Sequence, residues 1–311
     1  MTRGERVRDT DVAPASWQRT GLKDKHFSRR ERQIRKTEMT RKILITGAAG
    51  NIGAKLTAHV QKTGAYELVL LDLKGGEGIV EADLAVWDKK WAKLFKGVDT
   101  VLHFGASPSG SSTWEMVMGP NILATQHVLR AAREAKVRRV VFASTNQVVL
   151  GYRFDEEVTS VTTDLPPKPL SPYGISKLMG EEMGRGFNEE TGISFIALRI
   201  GYFQRGENKP GPHMGIGVWG QSMWLSNRDM MHALERSIEV EDVPFAVVNL
   251  VSNNPGMRWD LKHTRKVLGY KPKDRHAPVI DATVEAEDKK ARKARIVPGT
   301  WFNERYKTVI G

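Results

Sequence analysis

The chain has 311 residues, of which 40% are hydrophobic, and it carries a formal net charge of +12. This length allows one large α/β domain with a small appended lobe, or two modest domains. It contains no cysteine, which excludes disulfides, thiolate metal sites and a cysteine nucleophile. No apolar run approaches the roughly 18 residues of a membrane span, and no secretory h-region follows the N-terminal charges. We therefore expect a cytoplasmic protein with no metal site and no membrane partner.

The two ends of the chain carry clusters of basic residues. Residues 1–38 hold eleven Lys/Arg against six Asp/Glu, and a second cluster lies at residues 289–295. The N-terminal stretch has few apolar residues and no periodicity, which predicts a basic, flexible extension over residues 1–39. A nucleic-acid-binding face would interleave aromatic residues with the basic ones, so nucleic acid is not predicted as a partner.

From residue 40 onward, predicted strands and helices alternate. Strands are predicted at 43–46, 67–72, 98–104, 139–144, 194–199 and 245–250. Helical patterns cover about 52–62, 114–135 with an interruption at Gly119-Pro120, 173–187 and 227–238. Residues 201–223 are rich in Gly and Pro and are predicted to be a loop that covers a site. This alternation predicts the α/β class, a Rossmann-type doubly wound parallel sheet with ligands at the carboxyl ends of its strands.

A ladder of glycines follows the first predicted strand. Gly47, Gly50 and Gly53 have the spacing GxxGxxG and lie between a strand and a helix, the context of a dinucleotide-binding turn. Without side chains the backbone can approach a pyrophosphate, and a helix N-terminus offers N–H groups and a positive dipole end. We therefore predict that this turn, with Asn51 and Ile52, binds the phosphates of a dinucleotide.

Two aspartates come after the glycine ladder in the sequence, at positions where the nucleoside of a dinucleotide would bind. Asp72 ends the second predicted strand, nineteen residues after Gly53, where a carboxylate accepts hydrogen bonds from ribose and repels a 2′-phosphate. This favours NAD over NADP, although Lys74 weakens the exclusion, and an ordinary strand-end cap is the alternative for Asp72. Asp83 and Leu84 are candidates for the adenine site, with a loop cap as the alternative for Asp83.

A tyrosine and a lysine lie one helical turn apart further along the chain. Tyr173 and Lys177 are i and i+4 on a predicted helix, so their side chains share one face. A nearby ammonium and a positive nicotinamide ring both favour phenolate, which brings a phenol of ordinary pKa about 10 toward neutral pH. Ser144 and Thr145 end the preceding strand and offer a hydroxyl for the substrate oxygen. Tyr173 is therefore the predicted base of a nicotinamide-dependent enzyme.

As a set, the glycine ladder, the Ser/Thr pair and YxxxK resemble the extended short-chain dehydrogenases/reductases, the NAD-dependent epimerase/dehydratase superfamily, over residues 41 to about 275. The resemblance implies Thr145, Tyr173 and Lys177 as the catalytic trio and Asn121 as a supporting residue. It also implies NAD as the cofactor, which Tyr173 and Lys177 contact, and a homo-oligomer assembled through the helices that carry Asn121 and Tyr173.

Further segments resemble the uronate dehydrogenase branch and its NAD-dependent glucose-6-phosphate dehydrogenase relatives: residues 142–152, 223–229, 251–254 and 268–274. Enzymes of this branch oxidise the anomeric carbon of a sugar. Here Gln147 replaces their usual histidine, and residues 218–223 lack the arginine that binds the uronate carboxylate. Because a carboxylate without a bidentate partner is poorly held, a uronate substrate is not expected. Three cations of the preceding loop are candidates to replace that arginine or to bind a phosphate or sulfonate, with solvated loop charges as the alternative: Arg205, Lys209 and His213.

The predicted function is NAD-dependent oxidation of the anomeric carbon of an aldose, or of a phosphorylated or sulfonated derivative, to the lactone. Thr145 and Tyr173 would hold the anomeric hydroxyl, and Tyr173 would take its proton while hydride passes to nicotinamide. The residues expected to bind the sugar, apart from this pair, are Ser109, Asn146, Gln147 and Tyr202. In domain terms, residues 40–200 would form the NAD-binding domain, and residues 201–311 mainly a small substrate lobe and tail, interleaved with the core.

Two alternatives of function stay open. An NAD-retaining nucleotide-sugar epimerase or dehydratase would share this fold, although the sequence after Leu198-Arg199 lacks the usual Asn-Val-Tyr-Gly-Pro continuation. A non-catalytic NAD-sensing or nucleic-acid-binding protein would use the basic N-terminal stretch. The intact Tyr173/Lys177 pair argues against this second alternative.

Overall fold

The computed structural model describes residues 40–293, and side chains up to residue 289. The predicted N-terminal extension and the end of the chain, residues 1–39 and 294–311, lie outside the described residues. The strands are β1 (Lys42–Thr46), β2 (Glu67–Asp72), β3 (Ile79–Glu81), β4 (Thr100–His103), β5 (Arg139–Thr145), β6 (Ser194–Ile200) and β7 (Phe245–Leu250). The α-helices are α1 (Asn51–Thr63), α2 (Lys89–Ala92), α3 (Trp114–Val117), α4 (Ala124–Ala135), α5 (Pro172–Thr191), α6 (Gly217–Ser222), α7 (Asn227–Glu239), α8 (Lys262–Leu268) and α9 (Ala282–Lys293).

The seven strands form one sheet in the order β3-β2-β1-β4-β5-β6-β7, and all neighbouring strands are parallel. In such a sheet the carboxyl ends of the strands share one edge, so the turns that follow them meet there. The last residue of β1, Thr46, pairs with His103, and the last residue of β5, Thr145, pairs with Ile200. The predicted Rossmann-type α/β sheet is confirmed. Strand β7 comes from the predicted substrate lobe, which is thus interleaved with the core.

The central strands are apolar on both faces because helices cover the sheet on both sides. In β1, Ile43 and Ile45 pack into one hydrophobic core, whereas Leu44 points to the opposite face and packs into another. All three side chains are fully buried. This alternation explains why the strand reads as a continuous apolar run rather than as an amphipathic one.

Helix α5 approaches the sheet unusually closely. Its glycines at Gly180 and Gly184 face aromatic rings of the sheet, and a Cβ added there would come within 2.3 Å of Phe142 and 2.1 Å of Phe195, respectively. The helix begins with Ser171, whose hydroxyl accepts a hydrogen bond from the Gly174 amide at 3.1 Å, a normal N-cap. Cap and glycines together fix the first turns of α5, which carry the predicted tyrosine and lysine.

Several elements differ from the sequence-based expectation. The interruption predicted at Gly119-Pro120 is a π-helical turn, Met118–Leu123, between α3 and α4. The prediction of a loop over 201–223 is wrong for Gly217–Ser222, which form α6. Helix α6 is only six residues long and mostly buried, so tertiary packing rather than an amphipathic pattern stabilises it. Strand β3 and helices α8 and α9 are too short or too polar to be predicted from periodicity.

Among residues 40–293, no helix is both long and apolar enough to cross a membrane.

Candidate active site

A cavity of about 660 Å³ runs along the carboxyl edge of the sheet. Its wall includes residues from the ends of β2 and β5 and from the turns after β1, β4 and β6. The predicted site residues that line it are Gly47, Gly50, Asn51, Ile52, Asp72, Asp83, Leu84, Thr145, Asn146, Gln147, Tyr173, Lys177 and Tyr202. Three predicted site residues do not line it: Gly53, Asn121 and Ser109. The glycine ladder and the tyrosine–lysine pair therefore face one continuous space.

The turn after β1 has the shape that a pyrophosphate needs. Gly47 adopts φ +69°, and a Cβ there would lie 2.7 Å from the Gly105 backbone nitrogen. Gly53 lies beneath the turn, where a Cβ would be 2.2 Å from the carbonyl oxygen of Gly47. Gly50 caps helix α1 without any side-chain hydrogen bond. The N-terminus of α1 therefore faces the cavity with its backbone amides uncovered by a side-chain oxygen, which suits an anion.

The acidic residues beyond the turn lie at the same end of the cavity. The Asp72 carboxylate accepts hydrogen bonds from the amides of Ala49 at 2.9 Å and Lys74 at 3.3 Å. Asp83 accepts one from the Ala85 amide at 2.9 Å. Both carboxylates thus have the loop-capping contacts that were the alternative interpretation, and both still line the cavity. Asp72 is thus held directly against the glycine turn.

Tyr173 and Lys177 lie at the opposite end of the cavity and are almost excluded from water, with exposed fractions of 9% and 2%. Burial raises the pKa of Tyr173 to about 12, and a hydrogen bond with Thr145 acts in the opposite direction. Burial lowers the pKa of Lys177 to about 7, and its ammonium lies 4.8 Å from the ring centroid of Phe142. In the protein alone, desolvation is the larger cause and raises the pKa of the phenol, so the predicted phenolate depends on the charge of a bound nicotinamide ring.

Asn121 supports the catalytic helix from behind the cavity. Its side-chain oxygen accepts a hydrogen bond from the Ser107 amide at 2.7 Å, and its amide nitrogen donates to the Ser176 hydroxyl at 2.9 Å. Ser176 in turn donates to the carbonyl oxygen of Tyr173 at 2.8 Å. The π-helical turn aims Asn121 at α5, a common use of such turns near functional sites. Asn121 thus acts on Tyr173 through Ser176 and does not face the cavity.

A buried histidine links the glycine turn to the π-helical turn. His103 Nδ1 lies 2.7 Å from the Thr46 hydroxyl, and its Nε2 lies 3.1 Å from the Thr125 hydroxyl. Thr125 donates to the carbonyl oxygen of Asn121 at 2.6 Å. Burial, together with the nearby Lys177, lowers the pKa of His103 to about 3. The imidazole is therefore neutral at physiological pH and positions these elements without titrating.

The polar residues near Thr145 differ in how many of their hydrogen-bonding atoms have a partner. Both polar atoms of the Asn146 amide are buried and lack a hydrogen-bond partner among the described residues. Buried amides are nearly always hydrogen-bonded in folded proteins, so Asn146 is available to a ligand. Gln147 lies over Gly110, within 3.4 Å of where a Cβ would be. Ser109, predicted to bind the sugar, instead pairs with the Ser111 hydroxyl at 2.8 Å on the surface.

A buried ion pair lies under the strand end that carries Thr145. The Glu181 carboxylate accepts two hydrogen bonds from Arg199, at 3.0 and 2.8 Å, and one from the Ser144 hydroxyl at 2.5 Å. Bidentate pairing of this kind fixes geometry as well as charge. It ties α5, β5 and β6 together one residue away from the predicted catalytic threonine.

The structure adds wall residues that the sequence analysis did not identify. Phe203, Ile216 and Met223 make an apolar wall after β6. Of the three loop cations considered, Arg205 lines the cavity, whereas Lys209 pairs with Glu207 and the His213 ring contacts Gln204. These wall residues follow β6, which ends at the edge of the sheet where ligands bind, and this position could have indicated them. The Gly/Pro-rich sequence of the loop does not show which of its side chains point into the cavity.

Comparison with known proteins places the chain among sugar-active relatives. A model of the NAD dependent epimerase/dehydratase family matches residues 43–209. The chain is 31% identical to the L-arabinose 1-dehydrogenase (NAD(P)(+)) of Haloferax volcanii, over 77% of this chain and 99% of that protein. It is 34% identical to the uronate dehydrogenase of Pseudomonas putida, over 79% and 88% of the respective chains. The NAD-dependent glucose-6-phosphate dehydrogenase of Haloferax volcanii is 30% identical over 77% and 95%.

Solved structures give the same result. A mutated uronate dehydrogenase superposes with a TM-score of 0.66 at 30% identity, covering 82% of this chain and 87% of its own. A mutant uronate dehydrogenase from Agrobacterium tumefaciens, complexed with NAD, superposes with a TM-score of 0.65 at 25% identity, covering 84% and 91%. The predicted family is thereby confirmed, and this chain is a member of the NAD dependent epimerase/dehydratase family.

Proposed function

We propose that this protein is an NAD-dependent oxidoreductase of the short-chain dehydrogenase type that oxidises the anomeric carbon of an aldose or aldose derivative to the lactone. The observation that carries the proposal is the single cavity that joins the glycine turn to Thr145, Tyr173 and Lys177. A dinucleotide site and a general base must share one space, because hydride leaves the anomeric carbon while the proton leaves the hydroxyl oxygen on that carbon.

The residues at the β1–β2 end of the cavity fit NAD. The turn Gly47–Gly50 and the start of α1 at Asn51 and Ile52 would hold the pyrophosphate, over the close packing that Gly53 permits. Asp72 would accept the ribose hydroxyls, while Asp83 and Leu84 would border the adenine. When bound, NAD⁺ supplies the hydride acceptor of the reaction and a positive ring that favours a nearby phenolate.

The residues at the other end of the cavity would handle the proton. Thr145 and Tyr173 would hold the anomeric hydroxyl, and Tyr173 would take its proton as the C–H bond gives up hydride and the carbonyl of the lactone forms. The proton then passes to solvent, so one sugar loses two electrons and two hydrogens in each turnover. Lys177 would bind the nicotinamide ribose and, as an ammonium, stabilise the phenolate. Asn121 would keep α5 in register through Ser176.

The character of the wall supports the class of sugar. The wall residues Ile216 and Met223 are apolar, so they offer no partner to a carboxylate. Asn146, Gln147 and Tyr202 offer polar groups for sugar hydroxyls. Arg205 is the loop cation positioned for an anionic group. The substrate we propose is thus a neutral aldose, or one whose phosphate or sulfonate contacts Arg205.

A second copy of the chain is the expected partner, in the cytoplasm. Within the described residues, Met116, Leu123 and Met179 are 51%, 46% and 40% exposed. They lie on α3, the π-helical turn and α5, the region that the family resemblance points to as the assembly surface. Exposed apolar side chains grouped on neighbouring helices are typical of protein interfaces, which supports a homo-oligomer.

The test is a substrate panel with NAD⁺, followed by the absorbance of NADH. The panel contains L-arabinose, D-glucose, glucose 6-phosphate, a sulfonated aldose and glucuronate, and NADP⁺ serves as the cofactor control. We expect net NADH with a neutral, phosphorylated or sulfonated aldose. If no sugar gives net NADH and the protein instead converts a nucleotide sugar with bound NAD, the epimerase alternative is correct.

A further inference from the structure

The wall of the cavity contains a backbone turn that its sequence does not favour. Ile216 and Gly217 both have left-handed backbones, with φ +71° and φ +58°. A β-branched residue in this region is a genuine outlier, and outliers of this kind persist only where surrounding contacts enforce them. Ile216 lines the cavity and directly precedes α6. Contacts from elsewhere in the fold must therefore hold this turn.

Those contacts come from the C-terminal helix α9. The Ile216 amide donates to the Glu287 carboxylate at 2.8 Å, and the Val218 amide donates to the Asp288 carboxylate at 3.3 Å. At Gly217 a Cβ would lie 2.4 Å from the Asp288 carboxylate, so the acid packs directly against the backbone. Two adjacent acids thus bind the amides on both sides of the turn.

The same helix is anchored to other parts of the sugar end of the cavity. Arg153 donates to Asp288 at 2.8 Å, and the two side chains are 13% and 25% exposed. Arg153 lies in the 3₁₀ segment that begins at Asn146. The buried Gln221 amide, at the end of α6, both donates to the carbonyl oxygen of Val279 at 2.9 Å and accepts from its amide at 2.8 Å. Residues 279–288 therefore form hydrogen bonds with both ends of α6.

We propose that Glu287 and Asp288 are positioning residues that support sugar binding by holding Ile216 in the cavity wall. This inference rests on the proposed sugar dehydrogenase function. In this position the Ile216 side chain forms an apolar wall beside Tyr202 and Met223, which suits the carbon-bound hydrogens of a neutral sugar face. This part of the cavity wall is therefore held by residues about 70 positions later in the chain.

The geometry separates this effect from cofactor binding. The turn at Ile216 is held by Glu287 and Asp288, whereas the glycine turn is held against Asp72 through the Ala49 amide. Releasing the turn should therefore weaken sugar binding and leave NAD binding unchanged, a split that general destabilisation of the fold would not produce.

The test compares the double variant Glu287→Ala/Asp288→Ala with the unaltered full chain. We expect its KM for the sugar to rise about tenfold, the loss that corresponds to about one charge-assisted hydrogen bond, with kcat and the KM for NAD⁺ near their original values. The single variant Glu287→Gln, with Asp288 intact, keeps an acceptor for the Ile216 amide. Its KM for the sugar should therefore stay close to that of the unaltered chain. Glu285→Ala removes the same charge from an exposed position on the same helix and is the matched control.

Hydrogen exchange gives a readout that does not depend on turnover. The amides of Ile216 and Val218 should exchange faster in the double variant than in the unaltered chain or in Glu285→Ala. An unchanged sugar KM and unchanged exchange at these amides would overturn the inference. A third outcome is that the unaltered protein oxidises no aldose while the double variant still exchanges these amides faster. This result would overturn the proposed function but not the contacts. Equal losses of sugar and NAD⁺ affinity would assign the acids a merely structural role.

Discussion

Tyr173 and Lys177 share a site that is nearly closed to water, and burial moves their pKa values in opposite directions. The phenol titrates at about 12 and the amine at about 7, so both groups favour their neutral forms compared with free side chains. A cationic cofactor ring is the kind of charge that reverses this preference for the phenol. Under the proposed function, Tyr173 would therefore become a base only when the cofactor is bound.

Replacing the phenol tests the assignment of the base. Tyr173→Phe keeps the ring and its packing but cannot take the proton, so we expect kcat to fall by about 10²–10⁴-fold, the usual contribution of a general base. NAD⁺ binding, measured by calorimetry, should be almost unchanged. Tyr66→Phe, which removes a hydroxyl that pairs with Glu239, is the control. Activity of Tyr173→Phe close to that of the control would contradict the assignment.

Removing the buried amine should stabilise the protein while it destroys activity. Lys177 has a folded pKa of about 7 against an ordinary 10.5, so the unfolded chain binds more protons between these values and stability rises with pH across that window. The cost of burying the ammonium is fully present below pH 7 and disappears above about pH 10. Lys177→Met should therefore be more stable than the unaltered protein at pH 6, by a few kcal/mol.

This advantage of Lys177→Met should shrink as the pH rises from about 7 to 10, in urea unfolding measured at a series of pH values. An advantage that is constant with pH would show that Lys177 is not held as a depressed amine.

At the scale of secondary-structure elements, α5 packs close to the sheet because two of its glycines have no side chain. Phe142 and Phe195 occupy the space where side chains at 180 and 184 would lie, and this lets the helix carry Tyr173 to the strand end at Thr145. The π-helical turn and Asn121 hold the same helix from its other side. The predicted catalytic residues are thus placed by close packing, which the sequence shows only as isolated glycines.

Two glycines of α5 form a matched pair for testing this packing. Gly184→Ala would place a Cβ 2.1 Å from the Phe195 ring, so we expect a loss of about 1–3 kcal/mol in unfolding free energy and a fall in kcat as Tyr173 moves. Gly186→Ala meets nothing within 4 Å and should stabilise the helix by about 0.5–1 kcal/mol. Chemical denaturation of both variants measures these values. Equal effects would refute the close-packing account.

The sequence predicted the elements whose pattern is local and missed those that depend on tertiary contacts. The glycine turn, Asp72 and the Tyr173/Lys177 pair could be read because spacing along one element decides them. Ile216 could not, since α9, about 70 residues later, holds its turn. The rise of the Tyr173 pKa in the protein alone could not be predicted for a similar reason: the sequence shows the neighbouring charge, but only the structure shows the degree of burial.

At the scale of the whole molecule, the sheet brings the parts of the site together across a large sequence distance. Strand order puts the turn after β1 beside the end of β4, and the end of β5 beside that of β6. One edge therefore carries both the glycine turn and the Thr145/Tyr173 pair. Outside the cavity, the helices that carry Met116 and Met179 present a surface of apolar side chains that are exposed in the described part of the chain.

This surface predicts the oligomeric state. A charged residue in an interface is costly to bury, so Met116→Glu/Met179→Glu should convert a homo-oligomer into smaller species in analytical ultracentrifugation. Ile280→Glu, at a position 59% exposed outside these helices, should leave assembly unchanged. A monomeric unaltered protein, or a double variant that assembles normally, would contradict this prediction.

The most direct test of the central claim follows the hydrogen on the anomeric carbon. The protein is incubated with NAD⁺ and an active aldose that carries deuterium at C1, and the reduced cofactor is analysed by mass spectrometry. We predict one deuterium in each NADH molecule and a lactone without deuterium. Deuterium that stays in the sugar product, with no net reduced cofactor, would contradict oxidation at the anomeric carbon.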